Sequence, residues 1–187
     1  NEFIGNLLAE ISLIKNSRID IENFYSGVCG EEIFRDIYKK YETRLKENRL
    51  IDFDDMLSYT YELFKERPDI LALWQNKYKY ILIDEFQDIN RLQYEIIKML
   101  AAPQNNLFIV GDDDQSIYRF RGSKPEIMLG FEKDYPDAKR ILLDTNYRCG
   151  RYIVEASLNL ISHNRERFDK KIIAASKSKA PVTFADR

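Results

Sequence analysis

The sequence predicts an α/β chain in which a helical subdomain precedes part of a parallel sheet whose strands are joined by crossover helices. Two observations carry this. Across residues 1–77 apolar side chains recur at the helical period, whereas from Tyr80 onward short, wholly apolar runs end in acids and are separated by helix-length segments. Runs of that form read as strands buried on both faces, and strands alternating with helices imply parallel pairing through right-handed crossovers.

The elements follow in order. Phe3, Leu7, Ile11 and Ile14 fall on one face of a first helix, and Ile33, Ile37, Tyr41 and Leu45 recur every four residues in a second. A third helix starts at Asp52, with Asp55 three residues on as in a capping box, and carries Phe53, Met56, Leu57, Tyr61 and Phe64 before Pro68 interrupts it. A short helix through Leu71 and Trp74 follows. The strands are expected at Tyr80-Ile81-Leu82-Ile83, Leu107-Phe108-Ile109-Val110 and Arg140-Ile141-Leu142-Leu143, each running into acidic or polar residues. In such sheets ligands sit beyond the carboxyl ends of the strands. A last helix, with Ile153, Ala156, Leu160 and Ile161 on one face, ends near His163, and the six basic and two acidic residues of 165–180 suggest a solvated connector.

Bulk properties narrow the function classes. A formal charge of −2 over 187 residues gives no global attraction for a polyanion, so nucleic-acid contact has to come from local basic and aromatic groups. Cys29 and Cys149 lie far apart without metal-ligand spacing and His163 is the sole histidine, which argues for free, reduced thiols rather than a zinc site. No run approaches the roughly 18 apolar residues of a membrane span, and a cytoplasmic location with no membrane partner is expected. The chain opens on Asn1-Glu2-Phe3 inside an amphipathic pattern and closes on the strand-like Val182-Thr183-Phe184, so both ends are expected to be cut.

Three segments carry chemistry. Ile83-Asp84-Glu85-Phe86-Gln87-Asp88 places two adjacent carboxylates at the end of a buried strand, where one can hold a metal against phosphate oxygens and the other can position water. Taken alone, that pair also fits a polar strand end leading into a helix cap. Val110-Gly111-Asp112-Asp113-Asp114-Gln115-Ser116-Ile117-Tyr118-Arg119-Phe120-Arg121-Gly122 joins an acidic loop to alternating aromatic and basic residues, which suits phosphate and metal on one side and stacked bases on the other. Singly, Tyr118 and Phe120 also read as core residues. Leu143-Asp144-Thr145-Asn146-Tyr147-Arg148-Cys149 puts an aromatic ring and an arginine after a strand, where an arginine can stabilise charge on a transferring phosphoryl group, although taken alone the segment reads rather as a surface arginine beside a packed tyrosine.

In this order and spacing the three segments resemble the superfamily 1 DNA helicases typified by UvrD, Rep and PcrA, and Ile51-Asp52-Phe53-Asp54-Asp55-Met56-Leu57 resembles the return from that family's inserted helical subdomain. The resemblance runs from Phe3 to about Lys171. It implies a RecA-like, P-loop NTPase core, with residues 1–77 as a helical, 1B-like subdomain and 78–138 as the C-terminal part of the first core. Residues 139–170 would begin the second core, and 171–187 would be a connector and truncated strand. It assigns Asp84 to magnesium, Glu85 to the activation of water and Gln115 to the terminal phosphate of ATP, with Arg148 on the same phosphate and Tyr147 on the adenine. Phe53 and Phe120 would line the path of single-stranded DNA, Tyr118 and Arg121 would lie between the nucleotide and DNA sites, and DNA junctions would be further partners.

The departures are specific. No GxxxxGK[ST] occurs among the residues, so the chain carries half of an ATP site and is expected to be inactive alone. Phe120 stands where relatives often have tryptophan, and Cys149 replaces the serine usual after the family's arginine. The implied function is ATP-driven 3′ to 5′ movement on single-stranded DNA in repair or replication. The rivals are a helicase-nuclease subunit of the AddA or RecB kind and a non-catalytic DNA- or protein-binding module.

Overall fold

The structure, a computed structural model, describes residues 2–116, 125–165 and 167–176. The chain divides into two compact units, Asn1–Met128 and Leu129–Arg187.

In the first unit α1 (Glu2–Ser17) and α2 (Glu31–Glu47) close on a core of Ile11, Ile14 and Phe34, with Leu7, Tyr38 and Tyr41 packed around it. The face of α2 that is buried runs through Phe34, Tyr38 and Tyr41, so it is rotated by about one residue from the expected Ile33 stripe, and Ile33 is exposed. Phe3, at the start of α1, is exposed as well. A phenylalanine fills more of this small core than a β-branched isoleucine, and a one-residue shift rotates an α-helix by only about 100°.

Helix α3 (Phe53–Glu66) begins with the expected capping box: the Asp55 amide donates to Asp52 Oδ1 at 2.7 Å and the Asp52 amide donates to Asp55 Oδ2 at 3.1 Å. Pro68 sits at the first position of α4 (Pro68–Lys77), where its missing N–H costs nothing. Phe64 of α3 packs with Leu92 and Ile96 of α5 (Arg91–Ala101), joined by Leu57, Tyr61, Ile70 and Leu71.

The first two expected strands form. β1 (Ile81–Ile83) pairs in parallel with β2 (Leu107–Ile109), in the register Ile81 to Leu107 and Ile83 to Ile109, with α5 as the intervening helix. Only one face of this pair is partly covered: Leu82 is 72% exposed and Phe108 58%. The boundary between units lies in α6 (Pro125–Leu129).

The second unit corrects the third strand. Arg140–Leu143 is not a strand and Ile141 and Leu143 are exposed; β3 is Thr145–Gly150, after the apolar run, and pairs in parallel with β4 (Ile173–Ser176). A strand exists only through its ladder, and among the described residues the ladder partner lies opposite 145–150. Residues 173–176 therefore leave the expected connector to become a strand. Helix α7 (Phe131–Asp134) precedes β3, and α8 (Arg151–Ile161) joins β3 to β4; α8 buries Val154, while the expected Ile153, Ala156 and Leu160 are exposed.

The first turn of α3 is fixed to α1 by a buried cation. Lys15 Nζ lies 2.7 Å from each of Glu42 Oε1, Asp52 Oδ2 and Asp55 Oδ1, and Tyr41 donates to Asp52 Oδ2 at 2.8 Å. Burial works to strip the proton from Lys15, but the three carboxylates outweigh it and its pKa rises above that of an ordinary lysine. Burial likewise opposes the charge on Asp52, yet the bonds from Lys15, the Asp55 amide and Tyr41 leave its pKa lowered. Burial and the bond to Asp52 push Tyr41 to about 12.

The signs agree. The Asp52 contribution is present above the ordinary aspartate pKa of about 3.9 and is lost as pH falls through the lowered folded value. The Lys15 contribution is complete below about 10.4 and is lost only as pH rises through a still higher folded value. Replacing Lys15→Met leaves three clustered carboxylates without their cation and should cost about 3–5 kcal/mol near neutral pH. Urea melts of the 187-residue chain, with and without the substitution, measure this; a loss below about 1 kcal/mol would show that the cation is not holding the cluster together.

Candidate functional site

The carboxyl ends of β1 and β2 face each other through two acidic turns. After Ile83 the chain reverses at Glu85, which adopts the left-handed conformation (φ 51°, ψ 40°), a cost of about 1–2 kcal/mol for a residue with a Cβ. The Glu85 amide donates to Asp84 Oδ1 at 2.9 Å, and a tight 3₁₀ turn, Phe86–Asp88, follows. Phe86 is fully buried, edge-on to Tyr94 of α5 at 5.8 Å, and its amide donates to the Val110 carbonyl at 2.9 Å. One buried ring thus anchors the turn while Asp84 and Glu85 stay exposed.

The second turn begins at Gly111. A Cβ there would lie 2.6 Å from Gln87 Oε1 and 3.2 Å from the amides of Phe86 and Gln87, so the close approach of the two turns admits only glycine. A 3₁₀ turn, Asp113–Gln115, follows, with the Asp114 amide donating to Asp112 Oδ1 at 3.2 Å.

Gln87 bridges the turns. Its side chain is 2% exposed; Nε2 donates to Glu85 Oε2 at 2.7 Å and Oε1 accepts the Asp112 amide at 3.0 Å. Gln115 Nε2 donates to Asp112 Oδ2 at 2.7 Å, which completes a chain of bonds from Glu85 through Gln87 and Asp112 to Gln115. Ser116 Oγ also donates to the Gln87 carbonyl, at 3.3 Å. An amide is suited to this place because it can donate to a carboxylate and accept a backbone N–H at once. Three of the predicted residues, Asp84, Glu85 and Gln115, are therefore assembled at one edge, with exposed side chains and an acidic character that fits a hydrated cation bound to phosphate.

Among the described residues no group of three or more acidic, histidine or cysteine side chains is placed to hold a metal ion by itself. The exposed Asp84 carboxylate fits the needs of magnesium, which is commonly held by one or two carboxylates together with phosphate oxygens and water. Of two hollows at the opposite ends of the strands, the one lined by Tyr78, Ile81, Leu100 and Asn106 is about 60 Å³, far below the several hundred a nucleotide needs, and the other, about 520 Å³, is an open surface over the exposed apolar Leu82 and Phe108.

In the second unit Tyr147 is 82% exposed and Arg148 is exposed beside it. Asn146 shapes their segment, its Oδ1 accepting the amides of Arg148 at 2.9 Å and Cys149 at 2.8 Å, where the β3–β4 register shifts. Phe53, the first residue of α3, is 85% exposed. Tyr118, Phe120 and Arg121 lie outside the described residues. Both cysteines are free.

The family model "UvrD/REP helicase N-terminal domain" matches residues 5–136. The chain belongs to the UvrD/Rep helicase family. It is 48% identical over 183 residues to the putative ATP-dependent DNA helicase YjcD of Bacillus subtilis, covering 97% of this chain and 24% of that protein. It is also similar to the ATP-dependent DNA helicases PcrA of Staphylococcus epidermidis and Bacillus subtilis. The first is 40% identical over 173 residues (92% of this chain, 23% of that protein), and the second 42% over 170 (89% and 23%). The chain thus spans about a quarter of the length of these relatives. The motifs of this UvrD/Rep chain were legible in its sequence; Gln87's bridging amide was not, since the sequence marks it only as one letter of the acidic segment.

Gly111→Ala should destabilise the first unit by about 1–3 kcal/mol, because the added methyl overpacks a bonded, buried amide. A thermal melt with unchanged midpoint would show that the turns can part without cost.

Proposed function

We propose that the chain is the central part of an ATP-dependent DNA helicase or translocase that couples ATP hydrolysis to 3′ to 5′ movement on single-stranded DNA, in repair or replication. The observation that carries this reading is the bonded edge from Glu85 through Gln87 and Asp112 to Gln115, in a chain whose relatives are named ATP-dependent DNA helicases. On this reading β1, α5 and β2 belong to a first RecA-like core that runs over 78–138, the helices of 1–77 form a 1B-like subdomain, and 139–170 opens a second core.

Each side chain then has a task. Asp84 holds magnesium, which when bound neutralises the phosphate oxygens of ATP. Glu85, held by Gln87 with one oxygen engaged and one free, accepts a proton from the attacking water. Gln115 offers its amide to the terminal phosphate, and its bond to Asp112 relays whether that phosphate is present. Arg148 meets developing charge on the same phosphate, and Tyr147 presents an exposed ring to the adenine. Phe53 and Phe120 stack on bases of single-stranded DNA or of DNA junctions, with Tyr118 and Arg121 between the two sites.

In the full-length protein Glu85→Gln should leave ATP affinity within about threefold while lowering DNA-stimulated turnover by at least about a hundredfold, the usual scale for a general base. The isolated chain, without a phosphate-cradling loop of its own, should show no turnover in the same assay. Near-normal turnover by the variant would remove Glu85 from the chemistry.

A further inference from the structure

Two buried asparagines connect the exposed turn at Phe53 to the acidic turn at Glu85. Asn16, in the last turn of α1, and Asn90, the N-cap of α5, are 9% and 7% exposed, and Asn90 Nδ2 donates to Asn16 Oδ1 at 2.9 Å across 74 residues of sequence. Asn16 Nδ2 donates in turn to Asp54 Oδ1 at 2.7 Å, and to the Ser12 carbonyl and Oγ at 3.0 and 3.2 Å. At its other end Asn90 forms a capping box with Gln93: its Oδ1 accepts the Gln93 amide and its own amide donates to Gln93 Oε1, both at 2.9 Å.

The chain of bonds has a fixed direction. The Asp54 carboxylate only accepts, so the Asn16 NH₂ must face it. Asn16 then presents its oxygen to Asn90, which must donate, and this leaves the Asn90 oxygen to accept the α5 amide. Reversing either amide breaks the bonds on both of its sides.

The link joins places that matter. Asp54 follows Phe53, and the neighbouring Asp52 and Asp55 are pinned to Lys15, so every carboxylate in the first turn of α3 is held by the last turn of α1. Asn90 lies two residues beyond Asp88, at the end of the turn whose Asp88 amide donates to the Glu85 carbonyl at 2.9 Å. Coupling between sites travels through such bonded, packed chains when the linked elements can shift together.

We propose that Asn16 and Asn90 are positioning residues that tie the Phe53 turn to the Glu85 turn, so that single-stranded nucleic acid engaged at the first is sensed at the second. This rests on the DNA-motor reading given above. Neither asparagine touches substrate; each acts through the segment that it fixes.

The test uses the full-length protein, an oligo(dT) single strand, and the variants Asn90→Asp and Asn16→Ala. Aspartate keeps the N-cap but sets an acceptor against Asn16 Oδ1; alanine removes the bridge from the α1 side and suits a helix. Both variants should keep their melting temperature within a few degrees. Turnover without DNA and affinity for oligo(dT) should stay within about twofold, while stimulation by oligo(dT) falls about five- to hundredfold, the usual range for coupled sites.

Hydrogen exchange without nucleotide gives a second readout: oligo(dT) should protect amides 86–93 in the wild type and not in the variants. Because the links are in series, the double variant should be no worse than either single one. Unchanged stimulation and protection in folded variants would overturn the proposal while leaving the motor reading intact. So would parallel losses of stability and of DNA-independent turnover in both variants, which would make the pair merely structural. A wild-type protein that hydrolyses ATP without any response to oligo(dT) would instead overturn the motor reading, and this proposal with it.

Discussion

A single buried amide sets the geometry on which the candidate site depends. Gln87 donates to Glu85 and accepts from Asp112, and Gly111 lets the two turns approach closely enough for it to reach both. Leaving either half of that amide unpaired in a buried position would cost about 1–3 kcal/mol, comparable with the strain held at the left-handed Glu85. The bridge and the strain are therefore of similar size, and the burial of Phe86 beneath the turn adds to the bridge's side. Glu85 is held in a conformation it would not adopt freely, with one carboxylate oxygen bonded to Gln87 and the side chain exposed.

The helical part obeys the same logic with charges. Lys15 is surrounded by three carboxylates, and next to it Asn16 collects a fourth from Asp54. The ion cluster adds little net stability over a well-packed apolar substitute, since removing charges from water is costly, but losing its Lys15 cation is severe. What it supplies is register: the start of α3, and with it the exposed Phe53 ring, has one place relative to α1 and α5. The apolar packing of Phe64, Leu92 and Ile96 holds the other end of α3 to α5, so the helix is gripped at both ends.

Much of this was legible in the sequence for reasons that can be named. The capping box at Asp52 and Asp55, the stop at Pro68 and the strands at 81–83 and 107–109 follow from local chemistry, and each forms. Helix faces were harder. On α2 and α8 the buried stripe runs through Phe34 and Val154 rather than the neighbouring isoleucines, because several apolar residues compete for a narrow face and the choice is made by what packs opposite. The third strand failed for a related reason: Ile141, Leu142 and Leu143 have the composition of a strand, but pairing depends on a partner, and β4 lies opposite Thr145–Gly150. The acidic motifs pointed to the site's exposed residues. The buried residues that hold them, Gln87, Asn90, Asn16 and Lys15, are ordinary letters until the fold brings them together.

On the proposed function the Asp84–Glu85 and Asp112–Gln115 turns, bridged by Gln87, act as one nucleotide-facing edge. The most direct measurement is a crystal structure of the full-length protein with magnesium and a non-hydrolysable ATP analogue. The metal should lie within coordinating distance of Asp84 and the Gln115 amide within hydrogen-bond distance of the terminal phosphate, with the Gln87 bridge intact. A nucleotide bound with its phosphates away from both turns, or a Gln115 side chain turned from the phosphate with its bond to Asp112 unchanged, would contradict the proposed function.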